Sequence, residues 1–328
     1  MASSSDESLW ASASWTATPT NDDQSLTIGW QKHIPFLPGS NALQTLTIWT
    51  PGSSSPTIAT PPPLPGHWLI FIHGGAWRDP AITASSFQPA AAALLLKHHN
   101  QIGSTKLAGL ASLNYRLSPY PGRPSSDPAY AARHPDHISD VLHGIAFLQR
   151  AGVATGGYVL AGHSCGATLA FQAVMSPSRW GLGRLEGMIT HPDVVVGLNG
   201  LYDLAGFVRS PPAGYEGLRE AYEEFTRGAF GADEEVWRAV CPATAEEWVG
   251  EWKGEGEGGR RVVLVQSRGD TLVPRGQLEG MRGVLEGEGV RVGDMEAEGG
   301  HDEIWERGEG RMADILWEVL GGGGWCEG

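Results

Sequence analysis

Short apolar runs alternate along the chain with segments of helical composition or spacing. In the clearest helical segment, 136–150, apolar residues from Ile138 to Leu148 recur at helical spacing. The predicted strands are 26–36, 42–50, 67–72, 107–115, 158–161, 193–198, 261–266 and 290–295. The predicted helices are 84–99, 136–150, 167–171, 218–230, 234–240, 245–252, 275–285 and 302–320. This alternation predicts an α/β fold, with a mostly parallel central sheet covered by helices on both faces.

The predicted domain organisation follows from where the alternation of strands and helices begins, where it is interrupted and where it ends. At 328 residues, the chain is long enough to bury a large core as a single α/β domain, which we place at 26–320. Residues 1–25 are rich in Ser, Thr, Ala and Asp, which predicts a disordered N-terminal extension. Residues 203–252 form a separate helical block, interpreted as a cap inserted over the site. The Gly-rich segments 253–260 and 321–328 are predicted to be a flexible loop and a flexible tail.

Composition and net charge indicate which classes of binding partner are unfavourable and which cellular compartment is favoured. The chain has 23 basic and 37 acidic residues, a net charge of −14, which disfavours nucleic acid or an anionic membrane as a partner. The three cysteines fit neither a disulfide framework nor a metal site, which favours a reducing compartment. Neither a signal-peptide pattern nor an apolar run near the ~20 residues of a membrane span is found. These observations predict a soluble, cytoplasmic protein without a metal or a cofactor.

A sharp turn joins a predicted strand to a predicted helix at 162–166, Gly-His-Ser-Cys-Gly. This is the context of a nucleophile elbow, in which the serine stands exposed at the carboxyl edge of a sheet. The glycines at 162 and 166 lack the Cβ atoms that would clash in so tight a turn. The pattern makes Ser164 the candidate nucleophile.

The general base and its acid follow from chain order, which in this kind of site is serine, acid, histidine. Only His191 and His301 follow Ser164, and no aspartate lies between Ser164 and His191. His301 is therefore the predicted base, because a serine needs a base to accept its proton. Asp270, just after the apolar strand 261–266, is the preferred acid, with Asp203 at the end of an earlier strand as the alternative.

The strand at 67–72 leads directly into His73-Gly74-Gly75-Ala76-Trp77. An oxyanion hole needs backbone N–H groups that point at the developing negative charge. We expect these donors from Gly74, Gly75 and Cys165, since glycine lets the backbone approach a substrate and Cys165 follows the nucleophile. Trp77 adjoins these glycines and could form a wall of the acyl pocket or stack on an aryl ring.

The sequence resembles α/β-hydrolases of the esterase and lipase type, and more closely the fungal kynurenine formamidases (arylformamidases) with a His-Gly-Gly-x-Trp motif. The segments that carry the resemblance are 73–80, 114–118, 162–167, 200–204 and 300–301. The resemblance implies hydrolysis of N-formyl-L-kynurenine to L-kynurenine and formate, in tryptophan breakdown toward NAD. It also implies an α/β-hydrolase fold, a substrate pocket beside His73, Ala76 and Trp77, and often a homodimer.

Two other classes of function stay open. A general carboxylesterase or lipase-like hydrolase of short acyl esters uses the same residues, because substrate selectivity depends on the shape of the pocket. A non-catalytic relative that acts as a binding module usually lacks part of the triad, whereas Ser164, Asp270 and His301 are all present.

Overall fold

Nine strands form one sheet in the computed structural model, which describes residues 4–20, 25–62, 64–101, 107–120, 126–155, 157–252, 261–306 and 311–322. The strands are β1 Thr16–Pro19, β2 Thr27–Pro35, β3 Thr45–Pro51, β4 His67–Ile72, β5 Leu107–Leu113, β6 Val159–His163, β7 Val194–Leu198, β8 Arg261–Ser267 and β9 Arg291–Ala297. The α-helices are α1 Ser4–Ala11, α2 Gln88–Asn100, α3 Asp136–Arg150, α4 Cys165–Gln172, α5 Leu204–Arg209, α6 Arg219–Phe230, α7 Glu234–Val240, α8 Val249–Trp252, α9 Arg275–Gly287, α10 Glu303–Glu306 and α11 Arg311–Trp317. Shorter helical turns are Ala84–Phe87, Pro128–Tyr130, Pro177–Trp180, Gly183–Leu185, Glu216–Leu218 and Glu318–Gly322.

The strand order is β1-β2-β3-β5-β4-β6-β7-β8-β9. From β5 to β9 every neighbouring pair is parallel, while β1, β2 and β3 add an antiparallel edge. Side chains of β4 alternate between two apolar clusters, with Ile70 and Ile72 on one face and Leu69 and Phe71 on the other. One cluster includes α3, α4 and α9, and the other includes α2 and α11. The predicted fold class, a mostly parallel sheet with helices on both faces, is confirmed.

The N-terminal segment differs from the prediction of a disordered extension over 1–25. Residues 4–20 contain α1 and β1, and β1 pairs with β2. Trp10 is buried and stacks on Phe147, with ring centroids 4.9 Å apart. The Asp6 carboxylate accepts a hydrogen bond from Arg150 at 2.8 Å, which ties the same helix to α3. The prediction is wrong for these residues, since one buried tryptophan and one ion pair order a segment of otherwise polar composition.

Residues 203–252 connect β7 to β8 and contain α5 to α8. The Tyr215 hydroxyl donates a hydrogen bond to the carbonyl oxygen of Asp270 at 2.6 Å, and the Tyr222 hydroxyl donates one to Leu272 at 2.8 Å. The helical block is therefore bonded to the loop that follows β8. The predicted flexible segment 253–260 lies outside the described residues, as do 323–328 of the predicted tail. The helix predicted over 302–320 is described as α10 and α11, with 307–310 outside the described residues.

Candidate active site

Ser164 lies in the turn between β6 and α4, with φ of 53° and ψ of −121°. A Cβ at position 162 would collide with the backbone of Gly166, and one at position 166 with the carbonyl of Ile72. Two glycines are therefore required for the turn to fit against β4. The Ser164 N–H donates to the carbonyl of Leu198 at 2.9 Å, which fixes the turn to the end of β7.

His301 and Asp270 lie together after two neighbouring strands, β9 and β8. His301 Nδ1 is 2.8 Å from Asp270 Oδ2. The Asp270 carboxylate also accepts from the N–H groups of Leu272 and Val273, at 2.9 and 2.8 Å, and from Gln266 Nε2 at 3.0 Å. Four donors suit an ionised carboxylate, which can only accept. Because Nδ1 donates to Asp270, Nε2 of the neutral ring is left as its acceptor.

The main chain of His301 is held by two side chains that the sequence analysis did not assign to the site. His163 Nε2 and Asn199 Nδ2 both lie within hydrogen-bond distance of the His301 carbonyl, at 3.0 and 2.9 Å. Asn199 Oδ1 in turn accepts from the N–H of Ser267 at 2.7 Å. Burial lowers the pKa of His163 well below its usual value, with the nearby His301 as a further cause. A neutral His163 therefore supports the His301 loop by donating from Nε2.

The loop 74–77 lies against the elbow. A Cβ at Gly74 would be 2.8 Å from His163 Nδ1 and 3.1 Å from the Ser164 Cβ, so only glycine fits there. The next three residues, Gly75, Ala76 and Trp77, have φ values of 95°, 50° and 58°. Such a left-handed run is unfavourable for residues with a Cβ and has to be held by its surroundings.

The Cys165 side chain supports this loop from the elbow side. The Trp77 N–H donates to Cys165 Sγ at 3.3 Å. The Tyr115 hydroxyl lies 3.1 Å from the carbonyl oxygen of His73 and 3.6 Å from Cys165 Sγ. Burial raises the pKa of the Cys165 thiol to about 11, so the sulfur is neutral and acts as an acceptor. The same residue thus combines a backbone N–H beside Ser164 with a side chain that holds the opposite loop.

A cavity of about 270 Å³ opens onto Ser164 and His301. Its lining residues are Gly75, Ala76, Arg78, Asp79, Ile82, Tyr120, Ser164, Leu201, Leu218, Ala221, Tyr222, Phe225, Leu272, Val273, His301 and Asp302. Most of this wall is apolar or aromatic, and α6 of the helical block supplies part of it. The two sides of the site, the elbow and the loop after β4, thus share one cavity with residues of 203–252.

Two residues of the predicted substrate pocket lie behind this cavity rather than on it. Trp77 is fully buried, with its ring 4.9 Å from that of Phe230. His73 stacks on Tyr115 at 4.4 Å, and burial lowers its pKa to about 4. The left-handed backbone turns the Trp77 side chain into the aromatic core, so the prediction that His73 and Trp77 line the pocket is corrected. Ala76 does line it.

The alternative acid, Asp203, has another task. Its Oδ1 accepts from the Gly206 N–H at 2.7 Å, which caps the N-terminus of α5. The side chain beside His301 is that of Asp270.

One group of possible metal ligands occurs among the described residues. His163, His301 and Asp302 each bring one ligand atom to within 4.8 Å of one another. A cation bound there would occupy the electron pair of His301 that a serine nucleophile needs, so the group belongs to the serine site.

Solved structures with similar coordinates are esterases. Esterase B of Lactobacillus rhamnosis aligns with a TM-score of 0.64 and 14% identity, covering 97% of this chain and 89% of that one. A carbohydrate esterase from gut microbiota aligns with a TM-score of 0.63 and 16% identity, covering 94% and 99%. The fold is therefore that of the α/β-hydrolases.

Sequence relatives refine this class, although no protein-family model matches the chain. A kynurenine formamidase-like hydrolase of Fusarium equiseti is 39% identical, over 84% of this chain and 90% of its own. Kynurenine formamidases of Aspergillus versicolor and Meyerozyma guilliermondii are 34% and 28% identical, over 75% and 86% of this chain and 86% and 92% of theirs. The chain belongs to the kynurenine formamidase family, whose members are hydrolases acting on amide C–N bonds. No helix in the described part of the chain is both long and apolar enough to cross a membrane.

Proposed function

We propose that the protein hydrolyses N-formyl-L-kynurenine to L-kynurenine and formate, with Ser164 as nucleophile, His301 as base and Asp270 as the acid that orients it. The observation that carries this proposal is the 2.8 Å contact between His301 Nδ1 and Asp270, with His301 and Ser164 on one cavity. The relatives named kynurenine formamidase support the choice of substrate.

In the first half of the reaction, His301 Nε2 accepts the hydroxyl proton as Ser164 Oγ attacks the formyl carbon. The carbonyl oxygen becomes an oxyanion, which the N–H groups of Gly74, Gly75 and Cys165 stabilise. The C–N bond then breaks. His301 gives its proton to the departing aryl amine, and a formyl ester remains on Ser164.

In the second half, His301 takes a proton from water, and the resulting nucleophile attacks the formyl ester. The Ser164 oxygen leaves with that proton and formate is released. Asp270 keeps Nδ1 of His301 protonated throughout, so that Nε2 is the nitrogen that exchanges protons. The four donors around the Asp270 carboxylate support its ionised form in this role.

A cytoplasmic location, a homodimer and a place in tryptophan breakdown toward NAD belong to the same proposal. They rest on the composition of the chain and on its resemblance to the family.

The test is kcat/KM of the purified protein on N-formyl-L-kynurenine and on p-nitrophenyl acetate. We expect a clear preference for the formyl anilide, and a loss of about 10⁵-fold or more in Ser164→Ala. Ser210→Ala, at an exposed serine after α5, is the matched control and keeps full activity. Serine-dependent ester cleavage without formamidase turnover would instead indicate a general carboxylesterase of short acyl esters. Retained turnover in folded Ser164→Ala would reject the assignment of the nucleophile.

A further inference from the structure

Arg78 is the one arginine or lysine among the described residues that line the cavity, and the proposed reaction gives it no task. It directly follows residues 74–77, which carry the proposed oxyanion donors (the oxyanion loop). Its side chain is only 14% exposed. Burying most of a cation beside a reaction centre is costly unless it has a partner.

The backbone fixes Arg78 relative to the oxyanion loop. The N–H groups of Arg78 and Asp79 both donate to the Gly75 carbonyl, at 2.9 and 2.8 Å. The guanidinium carbon lies 5.1 Å from the ring centroid of Tyr120 and 5.9 Å from that of Phe225. Both distances are in the range of cation–π contacts, so the charge is held in place before any ligand arrives.

Within the described residues, the protein provides few hydrogen-bond acceptors for the N–H donors of the Arg78 guanidinium. Within the described ranges, its ion pair is with Glu224, where Nη1 lies 3.5 Å from Oε1 and the Glu224 side chain is 47% exposed. A pair at this distance with a half-exposed carboxylate is weak. A guanidinium has five N–H donors in a planar fork that matches a carboxylate. Arg78 therefore has donors to offer to an anion in the cavity.

We propose that Arg78 binds the carboxylate of the substrate and makes the site selective for formyl anilides that carry an amino-acid side chain. This inference rests on the proposed function. A substrate carboxylate replaces Glu224 as the partner of Arg78, and it sits at a fixed offset from Ser164 because Arg78 and the oxyanion loop share one turn. Asp79 and Asp302 line the same cavity, and their negative charge suits the ammonium group of a zwitterion.

The experiment compares two substrates with the same reacting group. N-formyl-L-kynurenine carries the amino-acid side chain, and N-(2-acetylphenyl)formamide has the same ring, ketone and formamide without it. We expect the ratio of their kcat/KM values to fall about 10- to 100-fold in Arg78→Met, as for a lost charged hydrogen bond. In Arg78→Lys the ratio should lie between those of the unaltered protein and Arg78→Met, because lysine keeps the charge but cannot form the bidentate contact. Arg282→Met removes the same charge at an exposed position on α9 and leaves the ratio unchanged.

Two measurements do not depend on the folding of an Arg78 variant. In the unaltered protein, L-kynurenine should inhibit at least about tenfold more strongly than 2-aminoacetophenone, which lacks the carboxylate. In Glu224→Gln, KM for N-formyl-L-kynurenine should fall about two- to threefold, since the competing carboxylate is gone. Its KM for the neutral formamide should not fall.

The outcomes separate this inference from the proposal on which it rests. If folded Arg78→Met loses the same factor on both substrates, Arg78 supports the loop and the inference is overturned. Equal inhibition by the two amines overturns it as well, while formamidase activity keeps the proposed function. If the unaltered protein hydrolyses neither formamide, the proposed function itself fails.

Discussion

The side of Ser164 that carries His301 and the side that carries Gly74 are held by different kinds of contact. On the His301 side, side-chain hydrogen bonds do the holding, with four donors on the Asp270 carboxylate. On the Gly74 side, the backbone carries the proposed oxyanion donors. Its three consecutive left-handed residues are fixed by packing and by Cys165 Sγ. The His301 side therefore depends on the polar atoms that donate to Asp270. The Gly74 side depends on the absence of a Cβ at Gly74, which lets the loop lie against Ser164.

The largest effect should come from the His301 side, through Asp270→Asn. An asparagine amide can donate to Nδ1 and so favours the wrong tautomer of His301, which should lower kcat about 10³- to 10⁴-fold with little change in fold. Asp203→Asn is the matched control, since asparagine caps a helix as well as aspartate does, and we expect activity to stay within threefold. A larger loss in Asp203→Asn than in Asp270→Asn would reverse the assignment of the acid.

A smaller effect should follow from adding one carbon atom on the other side, by Gly74→Ala. The new Cβ would be 2.8 Å from the His163 ring and 3.1 Å from the Ser164 Cβ, so the loop has to move away from Ser164. The expected loss in kcat is about 10²- to 10³-fold, as for a lost oxyanion donor.

Gly280→Ala, in the interior of α9, provides the control for Gly74→Ala. A Cβ there meets nothing within 4 Å. Activity should be unchanged, and the free energy of unfolding should rise by about 0.5–1 kcal/mol because alanine favours the helix. Equal activity of the two alanine variants would show that the loop tolerates displacement and that activity does not depend on its close fit against Ser164.

The smallest effect concerns the dependence of stability on pH. The buried histidines His73 and His163 beside Gly74 should contribute to it, together with His134 and His137, whose pKa values burial also lowers. Burial lowers the pKa of His73 from 6.5 to about 4, and it also lowers the pKa of His163 well below its usual value. Well above pH 6.5 both states of the protein leave these rings neutral, so they contribute no pH dependence there. Between pH 6.5 and about 4 the unfolded chain binds protons that the folded chain does not. As the pH is lowered through this range, the free energy of unfolding therefore decreases by up to about 1.4 kcal/mol per pH unit for each histidine.

Urea denaturation at pH 7, 6 and 5 measures this slope. His73→Gln should make the slope shallower, because one of the contributing rings is gone. A free energy of unfolding that stays constant from pH 6.5 to 5 would contradict the buried, neutral state of these histidines.

The sequence predicted best where local pattern decides structure. Strand His67–Ile72 and helix Asp136–Arg150 have the predicted bounds, because the apolar run of one and the helical spacing of the other are strong signals. The position just after the apolar strand 261–266 also selected Asp270, the aspartate that lies against His301. These features need no knowledge of contacts distant along the chain.

Features that depend on tertiary contacts could not be predicted in the same way. The residues around Trp10 in the sequence do not indicate that it stacks on Phe147, so α1 was not predicted. Asn199 reaches the His301 carbonyl across about a hundred residues of chain, and only its position directly after β7 hinted at a site role. The orientation of Trp77 depends on left-handed backbone that no local preference favours.

The Cys165 thiol can serve as a chemical probe of the loop 74–77. The thiolate is the reactive form of cysteine, and a pKa of about 11 leaves almost none of it at neutral pH. Sγ is buried under the Trp77 N–H, so an alkylating reagent reaches it only when the loop separates from the elbow. We therefore expect the alkylation rate of this residue to measure how often the loop 74–77 separates from the elbow.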